Sequence, residues 1–455
     1  MKITNKNILV VGLGMSGAAV ACFLKNRGAF VTVTDMATEN HLSSYMPVMR
    51  EMGIPMELGQ HGKETFEHAD VIVVSPGVPH TIPPIKAAQK KGIPVIGEIE
   101  LASRFIREPI VAITGTNGKT TTTTLLGKML EASGLNVFVG GNIGNPLISY
   151  ADGNKKADIV VAEISSFQLD TIDTFRPKAS VLLNITEDHL DRYPDFKAYA
   201  MSKGRIFENQ QKDDFAILNS SDPLISSVTQ NIKSRKLETG NWKLETGNLK
   251  SETGGKFQIS NFKFQISNFK FQISDHNMEN ISAACLAAMA VGGTEAGIQS
   301  ALNEFKGLPH RIEYVATIND VRYFDDSKAT NTDAVVKAVE CFNEPVILIM
   351  GGRNKGSNFH LMREQVRGHA KHLIVMGEAK EDIKSALGDV TFTTTASSVE
   401  DAVSQAYQAA NPGDVVLLSP ACSSFDMYKS YAERGEFFCQ AVREVAKGRG
   451  ARGEE

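Results

Sequence analysis

Residues 110–124 read IVAITGTNGKTTTTT. A run of apolar, β-branched residues gives way to a Gly-rich turn, Gly115 to Thr121, and then to the start of a helix. The residues of this turn, Gly115, Thr116, Asn117, Gly118, Lys119, Thr120 and Thr121, suit a phosphate group. Glycines let backbone N–H groups close around its oxygens, and the following helix turns its positive end toward them. Lys119 would reach the β- and γ-phosphates, and the Thr120 hydroxyl would hold Mg²⁺. The full Walker spacing puts four residues between its two glycines, and Ile113 stands where the first would be. The loop is therefore a shortened one.

The chain around it has 455 residues, which predicts about three domains. Its composition is that of a globular protein, with 42% apolar and 22% charged residues. A net charge of −4 argues against a nucleic-acid binder held by bulk electrostatics. Five scattered cysteines without CxxC spacing make neither a disulfide framework nor a zinc site, and suit a reducing cytoplasm. No apolar run approaches the ~20 residues of a membrane span. A soluble cytoplasmic monomer is expected.

Residues 1–104 open with a βαβ pattern. Gly12, Gly14 and Gly17 form GxGxxG between an apolar strand and a helix, and Asp35 ends the second strand near the distance at which such folds read a ribose. Taken alone this pattern suits NAD or any nucleotide diphosphate. In residues 105–306, GGNIGNPL (140–147) is as readily a plain turn as a ligand loop carrying Asn142. Glu163 closes the strand of ADIVVAEISSFQL, where a nucleotide site needs a metal-holding acid. A third strand, Ala179–Ile185, leads to Asp188, His189 and Asp191; His189 alone is as readily structural as a ligand. Residues 307–455 alternate strands and helices again, which predicts another doubly wound sheet.

GTNGKTT, the Glu of EISSFQL, NITEDHLDRY, DHNMEN and DDSKATN, in this order, resemble the ATP-dependent Mur ligases of peptidoglycan synthesis. The resemblance implies three α/β domains: a Rossmann-like UDP-substrate domain, a central P-loop ATP domain and a Rossmann-like amino-acid domain. It implies ATP and Mg²⁺, UDP-N-acetylmuramoyl-L-alanine as the acceptor and D-glutamate as the incoming amino acid. By position, Thr120, Glu163, His189 and Lys203 match the metal holders, Lys203 as a carbamate; on its own residues Lys203 reads as a solvated helix lysine. Lys119, Glu163, His189 and Lys203 then carry the catalysis. Asn277, Asn280, Arg311 and Asp326 join the ATP loop residues. Gly14, Ser16, Asp35, Ser75, Gly77, Asn142 and Ser165 match the UDP-substrate side. Lys328, Thr330, Lys355, Ser424 and Tyr431 match the D-glutamate side, where many relatives carry Phe in place of Tyr431. The motif of the diaminopimelate- and lysine-adding relatives is missing from this loop.

One segment departs from the family pattern. Residues 236–276 repeat KLETGN and then KFQISNF almost unchanged. An odd period moves equivalent residues to opposite faces of a continuing strand, so loosely packed hairpins or disorder are expected. Competing readings are a ligase-like nucleotide binder inactivated by this repeat, a folylpolyglutamate-type relative taking another amino acid, and an NAD oxidoreductase. The last would leave the phosphate loop idle.

Overall fold

The computed structural model describes residues 1–153, 156–189, 192–219, 222–239, 242–245, 255–259, 262–266 and 275–448. Three sheets, parallel but for one edge of the last, carry the described residues. The first contains β1 (Asn7–Val11), β2 (Phe30–Asp35), β3 (Met56–Leu58), β4 (Val71–Val74) and β5 (Val95–Gly97), in the order β3-β2-β1-β4-β5. Its central strands, ILVV and VIVV, are apolar at every position because helices cover both faces. The order reverses between β1 and β4, and open α/β sheets bind their ligands beyond the strand ends at such a reversal.

The second sheet contains β6 (Ile110–Thr114), β7 (Val137–Gly141), β8 (Ile159–Glu163), β9 (Ala179–Leu182), β10 (Phe215–Leu218) and β11 (Arg235–Glu238), in the order β11-β10-β9-β6-β8-β7. Strand β6 pairs with β8 on one side and β9 on the other, so the phosphate-loop turn leaves the sheet at its switch point. The predicted strand 179–185 is shorter than expected. It ends at Leu182, and Asn184 turns to bond the loop instead.

Within the repeat, the backbone of β12 (Trp242–Glu245), β13 (Gly255–Ile259) and β14 (Phe262–Ile266) forms an antiparallel sheet. The expected hairpin is present, and chain reversal pairs Phe257 with Phe264, equivalent positions of successive repeats. The side-chain packing expected to be loose lies outside the described residues, as does most of 236–276.

The last sheet contains β15 (Glu313–Ile318), β16 (Val321–Asp325), β17 (Val346–Gly351), β18 (Ala370–Met376), β19 (Phe392–Thr395) and β20 (Val415–Leu418), in the order β15-β16-β20-β17-β18-β19. It is parallel except at one edge. There β15 and β16 form a hairpin whose two turn residues, Asn319 and Asp320, have φ of 54° and 63°, as a primed two-residue turn demands. Two apolar layers, one on each face, bury its strands.

The chain divides into two compact units. One holds the first two sheets and the helix from 278 onward; the other holds residues 186–196 and the last sheet. Within the first unit the two sheets are tied together by the helix Glu98–Ser103. Glu98 accepts a hydrogen bond from the Ile148 amide at 2.7 Å, and fully buried Glu100 accepts from the amides of Asp173, Thr174 and Phe175 at 2.8–3.0 Å. Arg27 stacks on Phe23 and bonds Asp152 at 2.6 Å.

Candidate functional site: a phosphate loop, a sheet switch point and a loop cluster

The phosphate loop spans the gap between β6 and the helix Lys119–Ala132. Gly118 caps that helix with φ of 82°, a left-handed conformation that favours glycine. A Cβ at Gly118 would also lie 2.1 Å from Asn280 Oδ1, so the loop can sit on Asn280 only as glycine. Asn277 and Asn280 are one turn apart on the helix Asp275–Ala290, and both are buried.

Lysines converge on one carbonyl of this loop. Lys119 Nζ donates to Gly115 O at 2.9 Å and to Thr116 O at 2.8 Å, while Lys203 Nζ donates to Gly115 O at 2.8 Å. Lys203 is buried, 2% exposed, which corrects its reading as a solvated helix lysine. Two residues not singled out in the sequence brace the same loop. Asn184 Oδ1 accepts from the amides of Thr116 and Asn117 at 3.1 and 2.8 Å, and its Nδ2 donates to Asn117 O. Tyr199 shares a 3.1 Å hydroxyl bond with Thr116, and its ring centroid lies 4.6 Å from Lys203 Nζ. A polar residue directly after the apolar run 179–183 was the available signal for Asn184.

Glu163 ends β8 beside this loop and is 2% exposed. Its Oε1 accepts from Asn142 Nδ2 at 2.9 Å, whereas its Oε2 is buried with no hydrogen-bond partner among the described residues. A buried carboxylate oxygen left bare costs free energy unless a cation or donor occupies it. Together with the Thr120 hydroxyl, this oxygen is the kind of hard donor that Mg²⁺ takes, so the residues present fit the metal. Ser165, two residues on, bonds Gln168 Oε1 through both its amide and hydroxyl at the head of a short helix.

At the first sheet's switch point, Asp35 Oδ2 accepts from the Leu13 amide at 2.6 Å and Oδ1 from the Ala37 amide at 2.7 Å. Ser75 Oγ donates to Gly12 O at 2.9 Å and ties the turns after β1 and β4. Gly14 and Gly77 line the same end and are exposed, with Ser16 in the first helical turn.

In the second unit, His189 has φ of 55°, and the neighbouring Asp188 accepts from Asn331 Nδ2 at 3.3 Å. Asp191 lies outside the described residues. Asp326 is buried after β16, accepting from Ser419 Oγ at 2.8 Å and from the Ile312 amide. Burial pushes its pKa up to about 7, opposed by the Ser419 bond and by Arg311. Lys328 Nζ stands 3.9 Å from the Tyr431 ring centroid, and Ser424 is buried on the loop after β20. Lys355 lies on the loop after β17, and Thr330 follows Lys328 two residues on; both are partly exposed. His310 pairs with Asp325 at 2.6 Å, a bond that raises the imidazole pKa.

Comparison with known proteins places these features. Three family descriptions match in tandem: a Mur ligase MurD-like N-terminal domain over residues 6–97, a Mur ligase middle domain over 113–288, and a Mur ligase glutamate ligase domain over 310–422. The chain is 52% identical to the UDP-N-acetylmuramoylalanine–D-glutamate ligase of Desulfosudis oleivorans, over 99% of this chain and 98% of the relative. It is 53% identical to the enzyme of that name from Desulfatibacillum aliphaticivorans, over 97% and 99%. Among solved structures, the MurF ligase of Thermotoga maritima in complex with ADP shares the fold with a TM-score of 0.64 at 15% identity, over 98% of this chain and 96% of that one. With a phosphate loop, a bare buried carboxylate and full-length relatives in agreement, the chain belongs to the Mur ligase family.

Proposed function

We propose that this protein is an ATP-dependent ligase that joins D-glutamate to UDP-N-acetylmuramoyl-L-alanine, releasing ADP and phosphate in the cytoplasmic synthesis of peptidoglycan precursors. Its relatives' shared name supports the reaction, and the orphaned Glu163 Oε2 beside the Lys119 loop is the observation that carries it. Residues 1–104 take the UDP-substrate, 105–306 the ATP and 307–455 the amino acid.

The alanyl carboxylate attacks the γ-phosphorus of ATP, ADP departs, and an acyl phosphate results. The glutamate amine then attacks the acyl carbon, and phosphate leaves as the amide forms. Such a reaction needs positioning and charge neutralisation more than covalent help. Lys119 leaves its carbonyl acceptors to neutralise the transferring phosphoryl group, and the loop amides from Gly115 to Thr121 cradle it. Arg311 adds positive charge, while Asp326, Asn277 and Asn280 bind the nucleoside. Asp35, Gly14, Ser16, Ser75, Gly77, Asn142 and Ser165 hold the UDP-substrate. Thr120, Glu163, His189 and Lys203 would hold Mg²⁺, which when bound supplies charge neutralisation on the phosphates. Lys203 joins that set as a carbamate: its neutral amine adds to CO₂ and loses a proton, converting a donor into an anion. Lys328, Thr330, Lys355, Ser424 and Tyr431 hold the glutamate carboxylates.

The test is phosphate release from ATP and Mg²⁺ by the purified, monomeric chain, omitting each substrate in turn. Release that needs both UDP-N-acetylmuramoyl-L-alanine and D-glutamate is expected. Release with a different amino acid overturns the substrate assignment, and ATP binding without release overturns the catalytic one.

A further inference from the structure

Three loop segments carry residues assigned above to the amino acid: Lys328 after β16, Lys355 after β17 and Ser424 after β20. One buried side chain, absent from every sequence-based assignment, reaches all three. Arg434 lies in the first turn of the helix Tyr431–Lys447 and is 1% exposed. Its Nε donates to Ser327 Oγ at 2.9 Å and its Nη2 to Ser327 O at 2.8 Å. Its Nη1 is shared between Cys422 O at 3.1 Å and Gly351 O at 3.3 Å. Ser327 Oγ in turn donates to Tyr431 O at 2.7 Å, closing the network onto the helix that carries Arg434.

The fold makes room for this contact. Gly352 has φ of 132°, and a Cβ there would lie 2.2 Å from Ser423 O and 3.1 Å from Arg434 Nη1. Arg353 and Ser423 exchange backbone hydrogen bonds of 2.9 and 3.1 Å across the same gap.

All acceptors of Arg434 are neutral, and no carboxylate among the described residues lies within ion-pair distance of it. A buried cation is costly, and here neutral acceptors take its hydrogen bonds while the Asp426 and Asp325 carboxylates act on it from farther off. Burial lowers its pKa to about 10, opposed by the Asp426 and Asp325 carboxylates, which leaves it charged at neutral pH.

We propose that Arg434 is the positioning residue of the amino-acid pocket: it fixes in one register the three loops that are to receive a dicarboxylate. This rests on the assignment of D-glutamate to that pocket. Arg434 acts through Lys328, Lys355 and Ser424 and does not itself touch substrate.

The experiment compares Arg434→Met and Arg434→Lys with Lys355→Ala in the full chain. It reads kcat, the separate KM values for D-glutamate, ATP and UDP-N-acetylmuramoyl-L-alanine, and borohydride trapping of the acyl phosphate without D-glutamate. Arg434→Met is expected to raise the D-glutamate KM about 30-fold or more, with ATP KM and trapping preserved. Arg434→Lys keeps a buried donor for some of these acceptors but loses the bridging fork, so its D-glutamate KM should rise less. Equal deterioration of every parameter would make Arg434 merely structural and overturn the inference. So would an unchanged D-glutamate KM in both Arg434 variants while Lys355→Ala raises it. An unchanged D-glutamate KM in Lys355→Ala refutes the pocket assignment itself. Should Arg434→Met fail to fold by circular dichroism, Arg434→Lys decides by the same readings.

Discussion

Asn142 holds Glu163 by one oxygen at 2.9 Å and leaves the other bare. The amide thus orients the carboxylate without consuming its capacity to take a cation. Outer-shell partners of this kind typically change metal affinity by about 10–100-fold when removed. Asn142→Ala should raise the Mg²⁺ concentration for half-maximal phosphate release by about 10-fold, while Glu163→Gln should lower kcat by about 100-fold or more at any Mg²⁺ level. A Mg²⁺ titration of both variants checks this; an Asn142→Ala curve that overlays the wild type would refute the orienting role.

Gly118→Ala places a Cβ against Asn280 and forces a left-handed backbone on alanine. Such strain costs on the order of 1–3 kcal/mol locally. The loop should relax away from its phosphate-binding shape, so ATP KM is expected to rise by about 10-fold or more with the fold retained. Adding Asn280→Gly removes the clash but not the strain. The double variant should recover only part of the loss, as steady-state kinetics against ATP will show.

Glu98 is buried with its Oε2 unpartnered, and burial pushes its pKa up to about 7 against the amides of Ile148 and Leu147. The folded chain therefore holds this proton more tightly than the unfolded chain, whose carboxylate titrates near 4.5. Its stabilising contribution is complete below about pH 4.5, declines as pH rises and is gone above about pH 7. Glu98→Gln keeps an acceptor for the amides and cannot ionise. Denaturant unfolding should show the variant gaining on the wild type by about 3 kcal/mol between pH 5 and pH 8, the equivalent of roughly two and a half pKa units. A gap that stays constant with pH would refute this.

Glu100 gathers three consecutive amides and the Thr174 hydroxyl, and pairs with Arg104 at 2.6 Å. Glu100→Ala strands those donors inside the protein. Loss of a buried, paired carboxylate costs about 3–5 kcal/mol, so urea unfolding should move to a clearly lower midpoint.

Much of this architecture is legible in the chain. The strands declare themselves as apolar runs ending in glycine turns, and the residues at those ends, Asp35, Lys119 and Glu163, sit where parallel sheets present their ligands. The middle-domain and glutamate-ligase matches agree with the family read from GTNGKTT and DDSKATN. What stays hidden depends on partners remote in sequence. Glu100 looks like an exposed helix acid until the amides of residues 173–175 fold over it, and Arg434 looks like a surface arginine until three loops close around it. Local pattern reports which face of an element is apolar, but not which buried charge will find acceptors far along the chain. Lys203 shows the same blindness, since its acceptor at Gly115 is 88 positions away.

The helix Glu98–Ser103 belongs by connectivity to the first sheet, yet both of its acids accept hydrogen bonds from backbone of the second. The first 104 residues are therefore not a detachable cassette. A chimera that takes this part from a distant relative would bring its own acids to someone else's 147–148 and 173–175 amides, and each mismatch would strand a charge in the seam. Exchange of substrate specificity between such enzymes, by recombination in nature or at the bench, should succeed only when the breakpoint carries those amide-bearing turns along with the helix that reads them.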